Sequence, residues 1–182
     1  MKAQLPTLGR RDIWEIFDMD PTNFLKQFVP GYADLKDEER AAISNFTLLW
    51  SAMEGRVLHT NANPASLLAV VDALAQHGHL HLSPFEGSLT YFRSRYFQDG
   101  EFSYHFENLL FRKPDRRPLV EAVLSGKDDD LTRVVGALLL ITYRLRNNLF
   151  HGAKWAYGIQ GQQENFWHAS NVVIRILELH QR

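Results

Sequence analysis

The sequence contains no cysteine. Disulfide bridges and zinc–thiolate centres are therefore excluded, and the chain suits a reducing compartment. Charge of one sign is also lacking. Twenty Lys and Arg stand against 21 Asp and Glu, for a formal net charge of -1. No global positive field draws the chain to nucleic acid, so any such site must be local. The N-terminal stretch MKAQLPTLGRRDIW has no apolar core of the signal-peptide kind. The longest apolar run, VVGALLLITY from Val134 to Tyr143, is too short to span a bilayer. The chain reads as cytoplasmic and without a membrane partner. What is present is a globular composition, 45% hydrophobic and 23% charged over 182 residues, enough for one domain with a sizeable core.

The pattern along the chain is helical. Residues 1–36 read as an N-terminal appendage, with a short amphipathic piece at DIWEIF. A helix start follows at Asp20-Pro21 and a stop at Pro30-Gly31. A first long helix is predicted from about Asp37 to His59. Asp37, Glu38 and Glu39 sit in its dipole-favoured first turn, and Ile43, Phe46, Trp50, Met53 and Val57 form its buried stripe. A second helix, ASLLAVVDALAQH, stops at Gly78. Residues 78–118 form an irregular, aromatic-rich insertion. Within it SPFEGSLTYFRSRYF is predicted helical, while EFSYHFENLLF fits either a strand or a helix. RKPDRRP breaks the chain before a short helix, LVEAVLS.

The clearest element starts after Asp128-Asp129-Asp130. Leu131, Val135, Leu138, Thr142, Leu145 and Leu149 recur at alternating spacings of four and three, a seam for antiparallel bundle packing. Gly152 stands where a helix C-terminus favours glycine. A last helix from about Phe166 turns Ala169, Val172, Val173, Ile176 and Leu179 inward. The fold class is all-α: a single domain over 1–182, with a helical bundle at 37–182 behind the appendage.

The chemistry concentrates at the end of that second long helix, in YRLRNNLFHGAKW. A permanent guanidinium beside a titratable imidazole suits phosphodiester cleavage. Arginine holds the phosphate and steadies the growing charge, and histidine moves the proton of a ribose 2′-hydroxyl or of the leaving oxygen. No metal or cofactor is required. Five residues along a helix rotate by about 140°, so Arg146 and His151 flank the leucine seam on opposite sides, and Arg144, Asn147 and His151 share a face better. A second subunit could supply the missing half.

RNNLFH, Arg146 to His151, resembles the R-N-x-x-x-H signature of the HEPN superfamily, and its place at the end of a long bundle helix is similar too. The resemblance implies a metal-independent endoribonuclease. Such proteins act as dimers on RNA and often serve in toxin–antitoxin pairs or antiviral defence, with an antitoxin or regulatory partner. It implies catalytic roles for Arg146, His151 and Asn147, and substrate contacts from Arg144, Lys154 and Asn148. Glu54, on the first long helix, is a supporting residue by position. Arg144 also satisfies the family's longer spacing. Ala153 stands where one branch of the family carries tyrosine, which speaks against regulation by modification there. The alternative is a helical dimerisation module that binds a protein or nucleotide without catalysis.

Three other groupings carry weaker expectations. His77, His79 and His81 alternate as metal ligands do on a strand, though a polar loop explains them better. TYFRSRYF interleaves aromatic and basic residues, suited to RNA if exposed and to a satellite core if buried. The three aspartates before Leu131 read as solvated helix-start charges rather than a magnesium site.

Overall fold

A computed structural model describes residues 20–152 and 158–181. The chain is all-α, and the strand content among the described residues is one hairpin of two short strands. The expected DIWEIF piece, Ala153 and Lys154 lie outside the described residues. Helix α1 (Pro21–Phe28) begins at Asp20, whose carboxylate accepts from the Thr22 N–H. Helix α2 (Asp37–Arg56) is the first long helix and buries Phe46, Trp50 and Met53. Glu39 in its first turn is buried, because its carboxylate accepts from two backbone N–H groups, Lys36 at 3.0 Å and Gly161 at 2.6 Å. That pair of bonds ties the start of α2 to the loop before the last helix.

Helix α3 (Pro64–Gln76) starts on Asn63, whose side chain accepts from the Ala65 and Ser66 N–H groups. Pro64 is its first residue, where proline's missing N–H costs nothing. Helix α4 (Glu86–Tyr96) turns Leu89, Phe92 and Tyr96 inward. The ambiguous EFSYHFENLLF divides between both readings. Strand β1 (Phe97–Gln98) pairs antiparallel with β2 (Glu101–Phe102), and one helical turn, α5 (Tyr104–Glu107), follows. Phe106 and Leu109 are buried and Leu110 faces solvent. Helix α6 (Arg117–Leu124) includes Pro118 in its first turn, so that proline opens a helix rather than breaking one.

Helix α7 (Leu131–Phe150) is the axis of the molecule. Asp130 caps it by accepting from the Arg133 N–H, and Asp128 pairs with the Arg133 guanidinium, which accounts for two of the three aspartates. The heptad seam understates its burial. Every residue from Val134 to Thr142 is buried, because α3, α4, α6 and the last helix, α8 (Gln163–His180), all pack on α7. A helix apolar all round must be covered all round. At Gly136 the approach of α3 is close enough that an added Cβ would lie 2.8 Å from the Leu68 side chain. Helix α8 buries all five of its expected residues and packs most extensively on α2. No described helix is long and apolar enough to cross a membrane.

Candidate functional site at the end of helix α7

The last turn of α7 is closed by ordinary capping. The His151 N–H donates to the Asn147 carbonyl at 2.9 Å, and Gly152 takes a φ of 75°, the left-handed conformation that ends helices. Five polar residues on this turn and its approach point three ways, set by the helical rotation of about 100° per residue.

Arg146 points toward α2. Its Nη2 lies 3.3 Å from Glu54 Oε2, and its Nη1 donates to Asn147 Oδ1 at 3.0 Å. The same Glu54 oxygen accepts from the Trp50 indole at 2.7 Å. The guanidinium carbon stands 5.0 Å from the Phe150 ring and 5.8 Å from the Trp50 ring, both within cation–π range. A groove of about 510 Å³ opens here, lined by Thr47, Trp50, Glu54, Thr60, Arg146 and Phe150 among others. Arg146 is half-buried, and its buried Nε has no acceptor among the described residues. The carboxylate and the rings hold the guanidinium in one orientation at the groove wall, with part of its donor capacity unused.

Arg144 and Asn148 point the other way, into the protein. Arg144 is 2% exposed. It pairs with Asp115 at 3.1 Å, donates from Nε to the Leu109 carbonyl at 3.0 Å, and donates from Nη2 to Asn148 Oδ1 at 3.2 Å. Asn148 donates in turn to the Asn108 and Leu109 carbonyls at 3.0 and 3.1 Å. Asp115 also accepts from the Arg112 N–H at 2.6 Å. Burial pushes the Arg144 pKa down, and the Asp115 carboxylate opposes that shift. Together these groups clamp the loop 108–116 onto α7. This differs from the substrate contacts expected of Arg144 and Asn148: in this conformation their donors are committed to the fold.

His151 is exposed at the helix end and is not among the residues lining the Arg146 groove. Asn147 lies between the two and is buried. Within one chain, then, the arginine and the histidine stand on different sides of α7 and do not converge on one pocket. The rotation of about 140° between them is the cause.

Two functional partners were not singled out in the sequence. Trp50 sits one turn before Glu54 on α2, and that spacing of four was the available signal. Asp115, placed among arginines and prolines in RKPDRRP, gave a weaker one: a lone carboxylate amid cations. Of the other groupings, no three His, Asp or Glu among the described residues are arranged to hold a metal ion. The His77 ring instead reaches back to the Ala73 carbonyl at 2.6 Å, finishing α3. In TYFRSRYF, Phe92 and Tyr96 are core, Arg93 donates to the Val123 carbonyl at the end of α6, and Tyr91 and Arg95 are half-buried. No protein-family model matches the sequence, and comparison with curated proteins and with solved structures finds no match.

Proposed function

We propose that this chain is a HEPN-like, metal-independent endoribonuclease that works as a homodimer. The observation that carries the reading is the state of Arg146: a half-buried guanidinium aimed at an open groove and held from behind by Glu54. Such an arginine is pre-oriented to meet a phosphate, and an exposed imidazole further along the same helix end supplies proton transfer. Arg146 meets the scissile phosphate and steadies its extra negative charge. His151 takes the 2′-hydroxyl proton as that oxygen attacks phosphorus, or protonates the departing 5′-oxygen. Asn147 keeps the guanidinium in register through its Oδ1. Arg144 and Asn148 serve by holding the helix end in shape.

Because Arg146 and His151 face apart in one chain, the reaction needs a second copy to bring its histidine to the first copy's groove. Leu48 and Phe150, 70% and 54% exposed, flank that groove and offer the apolar contact for it. An antitoxin or other regulator would act by covering the same face.

The test is cleavage of single-stranded RNA by the purified chain in excess EDTA, with the product ends identified. Cleavage leaving 2′,3′-cyclic phosphate or 3′-phosphate ends, abolished by His151→Ala and by Arg146→Ala, is expected. Cleavage that survives His151→Ala removes the histidine from the mechanism. A second reading, a non-catalytic dimerisation module, is favoured by one specific feature: the Glu54 carboxylate already supplies Arg146 with a counter-charge. Absence of cleavage together with a stable dimer selects it.

A further inference from the structure

Helix α1 leaves its apolar side uncovered. None of its residues is buried, and Phe24 and Phe28 are 44% and 57% exposed, their rings stacked at 4.7 Å. The turn that follows sets its direction. The Tyr32 N–H donates to the Val29 carbonyl at 3.1 Å, Gly31 takes a φ of 77° beside Ile159, and Leu35 is buried. Arg40 donates to the Leu35 carbonyl and lies over the Tyr32 ring. Two aromatic rings held out on a pinned turn have the form of an interface anchor.

A hollow of about 500 Å³ lies between α2 and α8, lined by Ala42, Leu49, Ala52 and Ile174 and by the exposed Trp167. In a chain with 23% charged residues, no charged side chain is among the described residues lining it. Interface cores are depleted of charge and enriched in aromatics in the same way. The hollow also holds a polar group that the fold does not use. Ser170 is 8% exposed, and its buried Oγ has no hydrogen-bond partner among the described residues. Thr47 and Thr142 return their hydroxyls to the carbonyl four residues back. Ser170 leaves that bond unmade, at a cost that an incoming acceptor relieves. The last carbonyls of a helix are such acceptors, since they have no partner within it.

We propose that two copies of this chain exchange α1, each laying Phe24 and Phe28 in the α2–α8 hollow of the other, with Ser170 donating to the carbonyl end of the incoming helix. Both halves of the contact are carried by every chain, and each lacks a partner within it. The incoming stripe, Phe24, Leu25 and Phe28, is as free of charge as the hollow. The hollow has room for two phenyl rings, at roughly 150 Å³ each. No residue of α1 lines the hollow of its own chain, and the pinned turn holds the helix away from it. A knob and a hollow at different places on one surface form a closed pair when the exchange is reciprocal. This contact is separate from the Arg146 groove and uses none of the residues assigned to RNA cleavage.

The test uses the absence of cysteine, which makes an introduced thiol unique. Full-length Gln27→Cys and Asn171→Cys chains are mixed and treated with a short bismaleimide linker. The expected product joins one chain of each kind, at a yield several-fold above that of Gln27→Cys mixed with Gln76→Cys, an exposed position on α3. In sedimentation velocity, the Phe24→Asp, Phe28→Asp double variant raises the dimer dissociation constant about tenfold or more. Its circular dichroism stays helical, because neither ring is buried. Ala52→Glu, which puts a charge in the hollow from an exposed position, acts likewise. A cross-linking yield no better than the control, a link formed within one chain in the Gln27→Cys, Asn171→Cys double variant, or sedimentation unchanged by the aspartates overturns the proposal. Neither measurement involves RNA, so failure of this exchange and failure of RNA cleavage are told apart.

Discussion

Glu54 Oε2 and the Arg146 guanidinium meet at 3.3 Å across 92 residues of chain, and the Trp50 indole donates to the same oxygen at 2.7 Å. One carboxylate oxygen thus orders both a cation and an aromatic wall of the groove. Both partners of the ion pair are about one-quarter exposed, so solvent screens it. Glu54→Gln is expected to cost no more than about 1 kcal/mol, read from the midpoint of a denaturant titration. If RNA is cleaved at this groove, the same variant lowers the cleavage rate by more than its small loss of stability explains. Loss of orientation, with the fold intact, is the reason.

The Arg144–Asp115 pair is a different case, since both side chains are 3% exposed. Asp115→Ala leaves a buried guanidinium without its counter-charge, at an expected cost of about 3–5 kcal/mol. Chemical denaturation of the variant measures this. Arg144→Ala is likewise expected to act on folding, so lost RNA cleavage in that variant comes with a lowered melting temperature. In Arg146→Ala it does not.

His151 is exposed, with no hydrogen bond or ion pair from its ring to any described residue. His151→Ala is expected to change stability by no more than about 0.5 kcal/mol. A large destabilisation, seen as a shift in denaturation midpoint, assigns the histidine a structural role instead.

Leu48 forms the ridge between the Arg146 groove and a neighbouring hollow lined by Trp167, Asn171 and Ile174. If copies pair over this ridge, Leu48→Glu shifts the sedimentation velocity of the chain from dimer to monomer while its helical circular dichroism stays. A dimer that persists in this variant places the contact elsewhere.

His168 stacks on Tyr91, with centroids 4.1 Å apart and planes 13° from parallel. Burial holds its pKa below the ordinary value of 6.5, against a smaller opposing pull from Glu164. The folded state therefore resists the proton that the unfolded chain accepts. The neutral ring's share of stability is complete above about pH 6.5 and is lost as pH falls toward the lower folded value. Thermal melts between pH 7.5 and 5 are expected to show a falling melting temperature that is flatter in His168→Gln.

The helices were legible because their signals are local. Asp20, Asp130 and Gly152 each act within one turn of themselves, and stripes such as Phe46–Trp50–Met53 need only the helical period to be read. The all-α class, the long helix ending near His151 and the inward face of α8 follow from such signals. EFSYHFENLLF resisted reading because its aromatics satisfy both periods, and packing against the core shares them between a hairpin and a single turn.

Only tertiary structure decided what the two arginines do. Arg144 and Arg146 sit two residues apart in near-identical surroundings, and a rotation of about 200° sends one inward to Asp115 and the other outward to Glu54. Both carboxylates come from distant segments, and nothing near residues 144–146 encodes their arrival. Sequence alone established that a cation-rich helix end exists and which residue types compose it. The packing of α2 and of loop 108–116 against that end determined which cation closes the fold and which one faces the groove.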